Sequence, residues 1–481
     1  MRIQAALGLL IAAAVGTGAS ATTTVVTTTV PTTIADWRVP PARPAPGHAE
    51  HRPLRTAAPT TIAASTVAGR TGPSTTTAST TTTTAAAKRT TTTTAQPAPP
   101  PATLATGVTT IAPAIAAAIG RPVAPFGPVV DCLHPLAAID RWPVRAKVAQ
   151  LVMIGADGND LASLTALVRD QQIGGFLIRS APSSAVRLKA DLEELATLAG
   201  PIPSFVAVDE EGGRVQPLRA VAGPLPSARR LSRSDPATIR ATVGAHSKEL
   251  RAIGVTMVLG PVADVTRSSS GVIGDRSFGG DPVIVADDAL AYANGVLDGG
   301  LLPVMKHFPG HGSASGDSHV GRVATPAVGD LDRTDIPPFR MVMAASPVAV
   351  MVGHLEVPGL SADVPASLSS AAIEGELRTT LGFKGLVITD SLSMGAVTGR
   401  YRAPSAAADA ITAGADIALF VTISHRDAVG VIDALEQIVR EGRLTRAQLN
   451  RSVLRIVRSK GLDPCSVVPG DLVATRPVVA D

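Results

Sequence analysis

Aromatic residues make up 2% of this chain, and cysteine occurs only twice in its 481 residues. Between residues 22 and 120 the sole aromatic is Trp37, too few for a sugar-binding module built on stacked rings. Long apolar runs are missing as well. The run at residues 5–15 falls short of the roughly 20 residues that a membrane span requires, and no cysteine follows it to carry a lipid. With Arg2 before it, and Ala19 and Ala21 placed for an A-x-A cleavage, residues 1–21 read as a secretory signal peptide. A secreted or cell-wall address follows.

A basic excess is absent where a nucleic-acid partner would need it. The formal charge is +4, but seven Lys/Arg against two Asp/Glu in residues 22–120, with Arg2, carry +6. The remainder sums to −2, so the foldable part is not a nucleic-acid binder.

Residues 22–127 are mostly Thr, Pro and Ala, with runs such as "TTTVVTTTV" and "TASTTTTTAAAKRTTTTTAQPAPPPA". Such sequence buries too little apolar surface to offset its ordering entropy, so a disordered linker is expected. It reads either as an O-glycosylated stalk or as an unmodified spacer. Cys132 and Cys465 stand one at each end of what remains. In a secreted chain they are expected to form a disulfide if those ends meet, with two unrelated thiols as the alternative.

What is present is alternation. Short apolar or β-branched runs at 150–155, 174–180, 204–209, 255–265, 301–308, 348–354, 385–390 and 415–421 are separated by segments of helical period. Eight such units predict an α/β fold, a (β/α)8 TIM-type barrel over residues 128–465, with 466–481 as a C-terminal tail. An open doubly wound sheet is the alternative. A barrel would also bring its first and last elements together, as a Cys132–Cys465 bridge demands.

Polar residues recur where these strands end: Asp209, Asp264, Lys306 with His307, His354 and Asp390. In a barrel those ends face one mouth, where active sites are built. "VDEEGGRVQ" (208–216) places carboxylates before a Gly pair that permits a sharp turn, with capping of the next helix as the alternative role for them. "GVIGDRSFGGDP" (271–282) presents Arg276 for a polyhydroxyl or anionic group, or for pairing with Asp275 or Asp281.

"KHFPGHGSASGDSH" (306–319) holds three of the nine histidines. His307, His311, Asp317 and His319 are of metal-ligand type, but their spacing matches no compact H-x-x-x-H arrangement, so no metal or other cofactor is expected. The other reading is an Asp317–His319 dyad, a carboxylate orienting an imidazole for proton transfer, carried on a mobile loop. "GLVITDSLSMGAV" (385–397) ends a buried strand on Asp390, a candidate nucleophile or a helix cap.

Taken in this order, the four motifs resemble the glycoside hydrolase family 3 β-N-acetylhexosaminidases of the single-domain bacterial NagZ type, over residues 130–460. The resemblance implies a (β/α)8 barrel and retaining hydrolysis through a covalent glycosyl-enzyme. It assigns Asp390 as nucleophile, His319 as acid/base and Asp317 as the carboxylate that assists His319. Asp209, Arg276, Lys306 and His307 match residues that hold the sugar. The family often has a basic residue directly after the V-Q pair. Here that position is Pro217, with Arg219 two places on.

Larger relatives draw their acid/base from a domain after the barrel, whereas helical segments alone follow the eighth strand here. The proton donor is therefore expected from the barrel's own loops. The expected activity is an exo-acting β-N-acetylglucosaminidase, a monomer, acting on GlcNAc-containing cell-wall glycans or muropeptides. A β-glucosidase, a phosphorylase or an idle wall-binding barrel stand as alternatives.

Overall fold

The computed structural model describes residues 132–473 except Ala181. The expected signal peptide and linker of residues 1–127 lie outside the described residues, as do 474–481.

Among the described residues ten strands follow in chain order: β1 (Val152–Ala156), β2 (Gly175–Ile178), β3 (Phe205–Val208), β4 (Met257–Val258), β5 (Leu302–Phe308), β6 (Val323–Ala324), β7 (Ala349–Val352), β8 (Leu355–Glu356), β9 (Val387–Thr389) and β10 (Ala418–Phe420). Eight form one sheet in the order β10, β1, β2, β3, β4, β5, β7, β9, while β6 pairs with β8 alone. Every pairing in the large sheet is parallel. Ile388 then bridges Ile417 in parallel, and the Thr389 N–H donates to Ile417 O at 3.0 Å. The sheet therefore curls back on itself as a (β/α)8 TIM-type barrel, and the open sheet is excluded.

Strands buried on both faces explain the near-continuous apolar runs. Met153, Ile154, Phe176, Leu177, Phe205, Val208, Val304 and Met305 are all buried, as parallel strands under a coat of helices should be. The fourth strand is shorter than the expected 255–265. Pro261 supplies no N–H, so the ladder stops at Val258 and resumes only as an isolated bridge between Val262 and Lys306.

The helix Pro282–Asp298 starts as read, with Asp281 accepting from the N–H groups of Val283 and Ile284. At the barrel's seam, Asn450 Nδ2 donates to Asp140 Oδ1 at 2.8 Å, tying the helix Arg446–Ser459 to the helix Pro135–Asp140. Cys132 and Cys465, 333 residues apart in sequence, are disulfide-bonded with their Cα atoms 5.6 Å apart. The domain does not stop at 465. Val467 and Leu472 are buried, and Gln172 Oε1 accepts from the Val473 N–H at 3.1 Å. Their apolar side chains carry the supposed tail onto the barrel at least to 473.

Candidate active site

Because the strands are parallel, residues at their C-terminal ends share one mouth. Asp209 follows β3, Lys306 and His307 stand near the end of β5, and Asp390 follows β9. Between β3 and the rest lies the turn of Gly212 and Gly213, with φ of 87° and 61°. That left-handed pair is open to glycine and strained for other residues, and it turns the chain just after Glu211.

Four of these side chains make a buried charge cluster. Lys306 Nζ hydrogen-bonds Asp209 and lies 2.6 Å from Glu211 Oε1. Arg276 binds the same carboxylate in fork geometry, Nε to Oε2 at 2.7 Å and Nη2 to Oε1 at 2.8 Å. Burial alone would push the Glu211 carboxyl up, but Lys306 and Arg276 outweigh it and hold it well below the usual range. Burial would lower Lys306, yet Asp209 and Glu211 hold it raised. Asp209 is the open edge of the cluster: its side chain is 35% exposed, against 3% for Lys306 and for Glu211.

Beside it, Asp264 organises the histidines. His307 Nδ1 donates to Asp264 Oδ2 at 2.7 Å, since a carboxylate only accepts, and this leaves Nε2 facing Arg276 Nη2 at 3.4 Å. The His311 N–H donates to Asp264 Oδ1 at 2.7 Å. His311 Nε2 lies 3.1 Å from Ser318 Oγ. Of the four residues with metal-ligand side chains, His307 and His311 thus share Asp264, while Asp317 and His319 pair with each other.

Asp390 accepts from the Ser391 N–H at 2.7 Å. Burial would raise its carboxyl, but His354, His307, the Ser391 N–H and Lys306 bring it down to about 2. It is therefore ionised at neutral pH. His354 is itself locked: Nε2 donates to Ser391 O and Nδ1 lies against Ser367 Oγ, both at 2.7 Å. Burial lowers its pKa.

The remaining pair rides on the loop after β5. His319 Nδ1 donates to Asp317 Oδ1 at 2.7 Å, and the same oxygen accepts the His319 N–H at 2.9 Å. Nε2 is left as the nitrogen for an exchanging proton. The pair is open to solvent, with side-chain exposures of 62% and 40%. Asp317, His319, Asp390, Asp209, Arg276, Lys306 and His307 all line one cavity of about 290 Å³, together with Glu211 and Arg214. All seven candidates meet there.

Residues 143–459 match the glycosyl hydrolase family 3 N-terminal domain. The chain belongs to glycosyl hydrolase family 3. It is 43% identical over 343 residues to a β-hexosaminidase, LpqI, of Mycobacterium tuberculosis, an alignment covering 69% of this chain and 87% of that protein. A β-hexosaminidase of Xanthomonas campestris is 34% identical over 56% of this chain and 83% of its own length. Among solved structures, M. tuberculosis LpqI superposes with a TM-score of 0.65 at 42% identity, covering 69% of this chain and 97% of that one. A family 3 β-N-acetylglucosaminidase from Paenibacillus does so with 0.62 at 34% identity, covering 66% and 62%.

For this glycoside hydrolase the sequence reading missed how its candidates are supported. Sequence alone makes Glu210 and Glu211 equal candidates for a helix cap, and the two have different partners. Glu210 accepts from the Leu218 N–H ahead of the short helix Arg219–Ala222, whereas Glu211 joins Lys306 to Arg276. Arg276 pairs with neither Asp275 nor Asp281; Asp275 takes Arg214 and Asp281 caps its helix. Asp264 and His354 were visible as strand-end polar residues without assigned roles. Pro217 and Arg219 are absent from the cavity lining, while Arg214 is part of it.

Proposed function

We propose that this chain is an exported, exo-acting, retaining β-N-acetylglucosaminidase that releases terminal GlcNAc from peptidoglycan-derived glycans. The observation that carries this reading is the gathering of an ionised Asp390 and the Asp317–His319 dyad, from two different strand ends, around one small cavity. At about 290 Å³ that cavity is at the low end of the ~300–1,000 Å³ typical of small-molecule sites. It suits one terminal sugar better than a run of them.

In the first step Asp390 attacks the anomeric carbon while His319 Nε2 gives a proton to the departing oxygen. Asp317 orients the imidazole and balances its charge. In the second step the neutral imidazole takes a proton from water, which attacks the glycosyl-aspartate and frees Asp390. A histidine thus stands where most retaining glycosidases use a second carboxylate. Asp209, Arg276, Lys306 and His307 hold the sugar hydroxyls, with Asp209 the most accessible of the four. The reading includes no cofactor and a monomeric enzyme. Among the described residues no helix is long and apolar enough to cross a membrane.

Nitrophenyl β-GlcNAc and nitrophenyl β-glucoside, each with and without phosphate, test the proposal. Turnover of the GlcNAc substrate independent of phosphate is the expected result. Preference for glucoside, dependence on phosphate, or no turnover of either would replace it with a β-glucosidase, a phosphorylase or a binding barrel.

A further inference from the structure

The acid/base reading of His319 leaves a mechanical question, because the residue sits on an exposed loop and yet must meet a substrate attached to Asp390. The loop makes a tight turn, with the N–H groups of Val320 and Gly321 both donating to Asp317 O, at 3.1 and 3.2 Å. The carbonyls of Ser318 and His319 are then taken up from outside. The Gly395 N–H donates to His319 O at 3.0 Å, and the Ala396 N–H to Ser318 O at 3.1 Å.

Gly395 and Ala396 belong to the segment that carries Asp390. That segment is itself anchored to the end of β10: the Leu392 N–H donates to Leu419 O at 2.8 Å, Ser393 Oγ donates to Thr422 O at 2.7 Å, and Ser391 Oγ accepts from the Val421 N–H at 3.0 Å. The loop therefore docks on a fixed platform. The approach is so close that a Cβ on Gly395 would lie 2.4 Å from Val320 O and 2.8 Å from His319 O, so any other side chain must push the loop away. From the cavity side, Ser318 Oγ meets His311 Nε2 at 3.1 Å, and His311 is tied by its own N–H to Asp264.

We propose that Gly395 and Ser318 are positioning residues for the proton-transfer step, latching the loop so that His319 is held over the sugar bound at Asp390. The inference rests on the acid/base role of His319. Neither residue exchanges a proton; each fixes where the imidazole stands.

The test is kcat/KM for an aryl β-GlcNAc series running from dinitrophenyl to phenyl, measured for the full chain, His319→Ala, Gly395→Ala and Ser318→Ala. General-acid assistance is worth about 10²–10⁴-fold, and His319→Ala should lose it for phenyl while losing little for dinitrophenyl. Gly395→Ala should steepen the same dependence, by about tenfold or more at the phenyl end, and should add little when combined with His319→Ala. Ser318→Ala adds no atoms and should give the same signature in smaller measure, and it decides the matter should Gly395→Ala fail to fold. A steep His319→Ala series beside variants that are unchanged, or that lose activity equally across all leaving groups, would overturn the latch and leave the acid/base role standing. A flat His319→Ala series would overturn that role and the latch with it.

Discussion

Two groupings of carboxylates with nitrogen partners face the same cavity and behave in opposite ways. The Asp209–Lys306–Glu211–Arg276 cluster is buried and interlocked, whereas the Asp317–His319 pair is open to water and depends on its loop for position. Breaking a buried pair leaves an uncompensated charge in a poorly solvated place, at a cost of about 3–5 kcal/mol. An exposed pair contributes about 0–1 kcal/mol. On the proposed roles, the difference teaches that one site would divide holding from reacting. The groups assigned to the sugar sit in the cluster that is costly to break, and the group assigned to proton transfer sits in the pair that is cheap to break.

The contrast breaks most severely at Asp390, which belongs to neither pair. Asp390→Ala should lower kcat by about 10⁴-fold or more, the scale seen when a nucleophile is removed, with the circular dichroism spectrum unchanged. Next comes the reacting pair. His319→Ala should cost about 10²–10⁴-fold on substrates with poor leaving groups, and equal loss on activated ones would argue against proton transfer.

The holding cluster sharpens the comparison through stability. Glu211→Ala should lower unfolding free energy by about 3–5 kcal/mol in urea titration, and an unchanged midpoint would mean that the buried cations find other partners. Glu211 has a depressed folded pKa, so its contribution is fully present above its unfolded value of about 4.3 and is lost as pH falls through its folded value. Lys306 has a raised one, so its contribution is present below about 10.4 and lost as pH rises through the folded value. The Tm gap between the native chain and Glu211→Gln should accordingly hold steady between about pH 5 and pH 10 and narrow on the acid side. The smallest effect belongs to the exposed pair: Asp317→Asn should change stability by less than about 1 kcal/mol while slowing unactivated substrates.

Much of the site was legible because its members lie close in sequence or at strand ends. Asp317 and His319, two residues apart, need only a local turn to meet. Asp390 could be placed because a short buried strand stops there. Glu211 was not legible, since nothing in "VDEEGG" tells which of two adjacent glutamates turns to the backbone and which to the cations. Gly395 was equally silent. A glycine in a loop is unremarkable until the backbone that crowds it is known.

Eight buried runs and the helical segments between them determined the barrel, because period and burial are written residue by residue. So too were the chemical types available at its mouth. Only the closed tertiary structure decided which of them pair, setting Lys306 against Asp209 across 97 positions and Arg276 against Glu211 across 65. Such choices depend on which strand ends barrel closure sets side by side, and on how the buried charges there balance. Local pattern carries no record of either.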